Sequence, residues 1–194
     1  CVYNCTFCSM EVLAEQSGYK KRIKPKRLDQ FIGELKLIKG QFPWAKGVSF
    51  YDPNILSNPH EELHEILDVY KEHVGLPLWI SGFTVNQIKG DILEAFLEAG
   101  MTSVTFGVES GAKDTKKLLA RVESLDKTLK IDRLLKKMKR KYCFTVQYDL
   151  ILDVVMETPE QRLETLRFFS KLDGYDFLGI FSLRFFPGTK LYSL

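Results

Sequence analysis

No stretch of this chain approaches the roughly 18 consecutive apolar residues of a membrane-spanning helix, and no secretory signal pattern opens it. A cytoplasmic protein without a membrane span is the expectation. Neither sign of charge dominates. The 28 Lys and Arg against 25 Asp and Glu leave a net charge of +3, too small for binding to nucleic acid by charge alone. Histidine is scarce, at three, and so is cysteine, at four. Three of the four cysteines crowd one end of the chain, which argues against a secreted disulfide framework and for metal binding in a reducing compartment. Internal repeats and low-complexity segments are absent. An initiating methionine is also missing, and the first residue already belongs to a motif, so the chain is expected to be one piece of a longer protein. Its 194 residues, 45% of them hydrophobic, suffice for one full core and one domain.

The motif is CVYNCTFC, with Cys1, Cys5 and Cys8. A C-x3-C-x2-C loop can wrap three thiolates around one corner of a metal centre, and thiolates suit zinc or an iron–sulfur cluster. A closed site needs a fourth ligand. The remaining cysteine, Cys143, starts a strand whose far end points toward the site; ten residues at ~3.3 Å place it about 30 Å away. It reads as a small buried hydrophobe. Either one coordination position is open, as on a [4Fe–4S] cluster, or a ligand lies upstream.

Short apolar runs alternate with amphipathic ones. Strands are expected over 47–52, 76–82, 101–109, 142–152 and 178–186. Helices are expected over 28–42, 59–73, 91–100, 112–121, 126–141 and 159–172. Such alternation means parallel strands joined by helical crossovers. Strands covered on both faces should be apolar on both, yet two are not. Ser103, Thr105, Gly107 and Glu109 share one face of their strand; Thr145, Gln147, Asp149, Ile151 and Asp153 share one face of theirs. Polar groups that become ionisable toward the carboxyl end describe a barrel interior holding a ligand near its top. Ile180, Ser182 and Arg184 are expected on the same face of the last strand.

Three other features carry bland readings. HEELH (60–64) matches a zinc-protease pattern, but Leu63, Ile66, Leu67 and Tyr70 form the apolar face of that helix and leave His60 and His64 toward solvent. The run KKRIKPKR (20–27) reads as a solvated loop, with a phosphate-contacting loop as the lesser alternative. Trp44 and Trp79 read as packing residues, with a substrate wall as the alternative for Trp79, which adjoins a strand end.

The cysteine loop resembles that of radical S-adenosylmethionine (SAM) enzymes, C-x3-C-x-aromatic-C, with Phe7 in the aromatic place. FGVESGAKDTKKLLARV (106–122), DLILDVVMETPEQRLETLRFF (149–169) and LRFFPGTKLY (183–192) resemble, in order, three further segments of the family, above all of its cobalamin-binding group. The resemblance implies an α/β fold, a partial (β/α)6 TIM-like barrel of parallel strands, of which this fragment supplies strands two to six and largely lacks the first. It implies an enzyme that passes one electron from a [4Fe–4S] cluster to SAM and forms a 5′-deoxyadenosyl radical. Members of that group often carry a preceding cobalamin domain, which would lie outside this sequence and leaves the use of cobalamin open. A flavodoxin- or ferredoxin-like reductant is the implied partner.

By the same resemblance Cys1, Cys5 and Cys8 hold the cluster, and Phe7 lies beside the adenine. Asp52 stands at the turn that approaches the SAM amino group, where YDPN replaces G-G-E. Glu109 faces the ribose hydroxyls, Arg121 takes the SAM carboxylate, and Asp149 makes ribose or nearby contacts with Gln147 one step below. Ser81 ends the third strand of the family's count. DVVMET replaces the usual G-x-P-G-E-T. Two alternatives stand beside this reading: a tRNA methylthiotransferase, which shares the cluster spacing, and a structural zinc module without catalysis.

Overall fold

The structure is a computed structural model that describes residues 1–18 and 27–193; the basic run falls almost wholly outside the described residues. Twelve main elements follow in chain order: α1 (Met10–Gln16), α2 (Leu28–Gln41), β1 (Val48–Tyr51), α3 (His60–His73), β2 (Leu78–Phe83), α4 (Gly90–Glu98), β3 (Met101–Glu109), α5 (Lys113–Leu118), α6 (Leu125–Met138), β4 (Thr145–Asp153), α7 (Pro159–Phe169) and β5 (Phe177–Ser182). One-turn 3-10 segments occupy Ile55–Ser57 and Lys190–Ser193. All five strands are parallel and lie in sequential order β1-β2-β3-β4-β5. The crossovers through α3, α4, α5–α6 and α7, right-handed as such connections are, carry those helices to one side, which makes an open, partial barrel.

The side under the helices is apolar. Val104 pairs with Val146 and Phe106 with Tyr148 across β3 and β4, and all four are buried. Aromatic rings run edge to face through this layer, from Phe96 to Phe83, Phe106 and Tyr148, with centroids 5.0–6.0 Å apart. Helix α3 buries Leu63, Leu67 and Tyr70 as its spacing predicts. Asp132 of α6 pins the far end: its carboxylate accepts from the Tyr148 hydroxyl and from the amides of Asp173 and Gly174. Burial and that neighbouring carboxylate push the Tyr148 phenol well above its ordinary value.

Several expectations need correction. Strand β4 begins at Thr145, so Cys143 lies in the loop before it and is exposed rather than buried. Trp44 is 68% exposed; it stands in the turn after α2 with only the edge contact to Phe42 on its ring face. Trp79 is 51% exposed because it points to the concave face, where it pairs in register with Ser103. Over Phe177–Phe181 the last strand has the opposite parity, and a register shift then pairs Ser182 with Asp153. Phe177, Gly179 and Phe181 pair with Gln147, Asp149 and Ile151, while Ile180 pairs with Leu150 of the apolar face. β5 also ends at Ser182, before Arg184.

Candidate active site at the carboxyl ends of the strands

On the concave side, Ser103, Thr105 and Gly107 of β3 stand level with Thr145, Gln147 and Asp149 of β4, and every one of them keeps partial contact with solvent. Gly179 leaves room for this row, since a Cβ there would collide with the Asp149 carboxylate and crowd the Gln147 amide. Gln147 Nε2 donates to Asp149 Oδ1 at 2.7 Å. Burial raises the Asp149 carboxyl above its usual range, and that hydrogen bond opposes the shift.

At the top of β3 the register slips between Gly107 and Glu109, and Glu109 adopts φ 67°. A bulge of this kind re-aims a side chain. Here it folds the carboxylate back over Gly107, where a Cβ would meet Glu109 Oε1 at 2.5 Å. Burial drives the Glu109 carboxyl up to about 7; Arg121 opposes the rise, and Asp149 and Glu123 add to it. Ala120 is the other non-glycine residue with positive φ among those described, at 50°. It turns the chain out of α5 so that Arg121 reaches inward. Arg121 donates from Nη1 to Cys5 Sγ at 3.4 Å and from Nη2 to the carbonyl of Gly107. Both left-handed residues thus deliver a charged side chain to one place, which is where backbone strain tends to collect.

The cysteine loop is held through Thr6. Its amide donates to Leu119 O at 3.2 Å, its hydroxyl to Leu118 O at 2.8 Å, and its carbonyl accepts from Leu191 N at 2.9 Å. Phe7 packs with Leu119, Ile151 and Val154 in a small second apolar cluster. Lys190 pairs with Glu11 at 3.3 Å, so the turn after β5 closes over α1. Cys5 and Cys8 line a cleft with Glu11 and Thr189, whereas Cys1 and Asp52 open on a separate cavity of about 300 Å³ between β1 and the helices α2 and α3. Asp52 is exposed and accepts from Asn54 N at 2.7 Å. Ser81 sits below, its hydroxyl 3.5 Å from Phe50 O.

The fold therefore gathers Cys5, Arg121, Glu109, Asp149 and Gln147 at one end of the sheet, and sets Cys1, Asp52 and Ser81 toward its β1 side. All of the cysteines are free thiols. Among the described residues no group of three or more His, Cys, Asp or Glu converges on a single-ion position, neither in this loop nor on α3, where His64 is exposed. A cubane cluster makes no such demand, because each thiolate binds its own iron. Three unpaired thiols on one loop, one of them receiving a guanidinium hydrogen bond, fit that group. Burial pushes the Cys5 thiol up, and Arg121 works against it.

Sequence reasoning missed a buried charge cluster behind these groups. Glu123 contacts Arg121 Nη2 at 2.9 Å and faces Lys116 Nζ at 3.8 Å; Lys116 also donates to Val108 O at 3.3 Å. It also missed Glu157, buried and accepting from Thr115 Oγ1 at 2.8 Å, which ties the start of α7 to α5. The residue types alone give no sign of burial; the R-x-E spacing of Arg121 and Glu123 was the available signal.

The description of the radical SAM superfamily matches residues 1–172. This chain belongs to the radical SAM superfamily. That membership makes it part of an enzyme. An uncharacterized methyltransferase of Pyrococcus horikoshii is 24% identical over 192 residues, covering 99% of this chain and 39% of the relative. The chain thus spans about two fifths of that protein. TsrM of Kitasatospora setae, a radical SAM methyltransferase solved with cobalamin and a [4Fe–4S] cluster, superposes with a TM-score of 0.75 at 17% identity, over 98% of this chain and 36% of its own. Coproporphyrinogen III oxidase of Escherichia coli superposes with a TM-score of 0.71 at 18% identity, over 96% and 43%. The last two likenesses establish the fold, a partial radical SAM barrel. Among the described residues no helix is long and apolar enough to cross a membrane.

Proposed function

We propose that this chain is the cluster- and SAM-binding core of a radical SAM methyltransferase whose cobalamin is held by another part of the protein. Cys1, Cys5 and Cys8 ligate a [4Fe–4S] cluster, which when bound supplies one electron and an open iron to SAM. Glu109 and Asp149 accept from the ribose hydroxyls, since a carboxylate can take two such bonds. Gln147 orients Asp149. Arg121 offers a planar fork to the SAM carboxylate, and Phe7 closes the adenine side. Asp52, with Ser81 beneath it, receives the amino group. The partial shelter of Glu109, Arg121 and Asp149 strengthens their contacts relative to open water. An oxygen-sensitive cluster suits the cytoplasm, and a flavodoxin- or ferredoxin-like protein is the electron donor.

One observation carries the reading. Arg121 touches Cys5 Sγ and lies beside Glu109, which supports reading Cys5 and the Glu109 carboxylate as parts of one site. The methyltransferase relative and the fold of TsrM support methyl transfer as the reaction class. The test is anaerobic reconstitution of the full-length protein with iron, sulfide and cobalamin, followed by reduction in the presence of SAM. Labile sulfide near four per chain, a SAM-dependent change in the electron paramagnetic resonance spectrum and release of S-adenosylhomocysteine or 5′-deoxyadenosine are expected. Zinc without sulfide, or a spectrum indifferent to SAM, defeats the reading.

A further inference from the structure

Arg121 lies nine-tenths out of solvent, with side-chain exposure of 8%, and Glu123 is more deeply buried still, at 1%. A buried guanidinium is costly unless it is paired and its donors are used. Two of its contacts are to uncharged or weak acceptors, Gly107 O and Cys5 Sγ. The contact at 2.9 Å to Glu123 Oε1 joins opposite charges, and charge-assisted bonds are roughly twice as strong as neutral ones. Glu109 is a second counter-charge, folded over Gly107 beside Arg121 Nη2, and its field on the guanidinium is at least as strong as that of Glu123. What Glu123 adds is a direct, buried contact. Lys116 faces the second oxygen of Glu123. Burial lowers the Lys116 ammonium, and Glu123 opposes that fall.

We infer that Glu123 is a positioning residue: it fixes Arg121 between the Cys5 sulfur and the ends of the strands, with Lys116 balancing its charge from behind. Glu123 lies behind Arg121, its contact at 2.9 Å is to Arg121, and its field on Glu109 and Cys5 is among the weaker influences on those groups, so it acts on a bound molecule chiefly through Arg121. Without it the guanidinium keeps its hydrogen bonds to Gly107 O and Cys5 Sγ but loses its charged partner in direct contact. The fork is then held less tightly in the orientation that a carboxylate would meet. This inference rests on the proposed role of Arg121 toward a carboxylate, and it adds the group that makes that role geometrically specific.

The experiment uses the reconstituted full-length protein and measures SAM affinity by equilibrium dialysis and by the SAM-induced change in the reduced-cluster spectrum. The variants are E123Q, R121Q and R121Q/E123Q, each with iron content and melting temperature recorded. E123Q is expected to weaken SAM binding by roughly 10- to 100-fold, the range for groups that orient a ligand-contacting residue, with iron content held. R121Q is expected to lose at least as much, and the double variant the same as R121Q, because a residue acting chiefly through another adds little once that other is gone. Unchanged affinity in E123Q, or a further loss in the double variant beyond R121Q, overturns the inference. Should E123Q fail to fold, the comparison of R121Q/E123Q with R121Q decides alone: equal affinities support it and unequal ones overturn it. A loaded wild-type protein that binds no SAM brings down the functional reading and this inference together, whereas wild-type binding with an unaffected E123Q removes only the latter.

Discussion

Glu109 shows what a single residue does here that composition hides. Its carboxyl titrates near 4.5 when unfolded and at about 7 when folded, so between those values the folded chain holds the extra proton. Raising the pH removes it, and stability falls across that window before levelling off above 7. Glu109→Gln cannot lose that proton. The difference in unfolding free energy between the wild-type apo chain and the variant should therefore shift against the wild type by roughly 2–3 kcal/mol from pH 4.5 to 7.5. Urea denaturation across that range measures it, and parallel profiles for the two proteins would refute the placement of this carboxyl. Asp149 was legible in the sequence, because a period of two puts it on the polar face of its strand. Glu109 was picked out by the same period, but it reaches that side only through the bulge that pairs it with Leu150 and turns its carboxylate back over Gly107. Arg121 came only through family resemblance. Glu123 and Lys116 were not legible as buried groups: the R-x-E spacing of Arg121 and Glu123 was the one hint, and a charged side chain is buried by tertiary partners that its own segment does not show.

Among the elements, the junction of β3 with α5 depends on α7. Ser110 Oγ and the amide of Gly111 both bond Thr165 Oγ1, at 2.9 and 3.1 Å. A Cβ on Gly111 would collide with Phe168 Cβ and lie 2.9 Å from Thr165 Cα. The GVESG segment is thus a docking surface for α7 as well as the end of a strand. Gly111→Ala should cost about 1–3 kcal/mol by forcing α7 outward. Thr158→Ala should cost about 1 kcal/mol, because it removes a capping box in which Thr158 and Gln161 satisfy each other's amides at the start of α7. Thermal melts should rank the two in that order, and an undisturbed Gly111→Ala variant would show that α7 does not rest there. Helix and strand positions followed from periodicity with shifts of a few residues, as for α3 and β3. The last strand did not. The sequence LGIFSLRFF alternates equally well in either parity, and only pairing with Asp149 decides that Gly179, and not Ile180, faces the polar side.

At the scale of the molecule, five parallel strands leave two edges, and they differ. β1 is only four residues long, which gives it few unpaired backbone groups. β5 has six residues with large apolar groups exposed on both sides, Phe177 and Phe181 toward the concave face and Ile180, at 59% exposure, toward the helical one. Leu163 and Leu166 of α7 are exposed as well. An apolar edge strand with unpaired amides and carbonyls is a template for association. The parallel sheet was legible from β–α alternation, but an uncovered edge was not, because the same apolar pattern describes a covered strand. A chain of these 194 residues should therefore associate as its concentration rises, and sedimentation velocity should show the shift. Ile180→Lys places a charge on the outer side of β5 without entering the polar face that holds Asp149, so it should return the chain toward monomer at equal concentration while leaving the melting temperature within a few degrees. A parent chain that stays monomeric at high concentration would mean that this edge is protected by something other than charge or length.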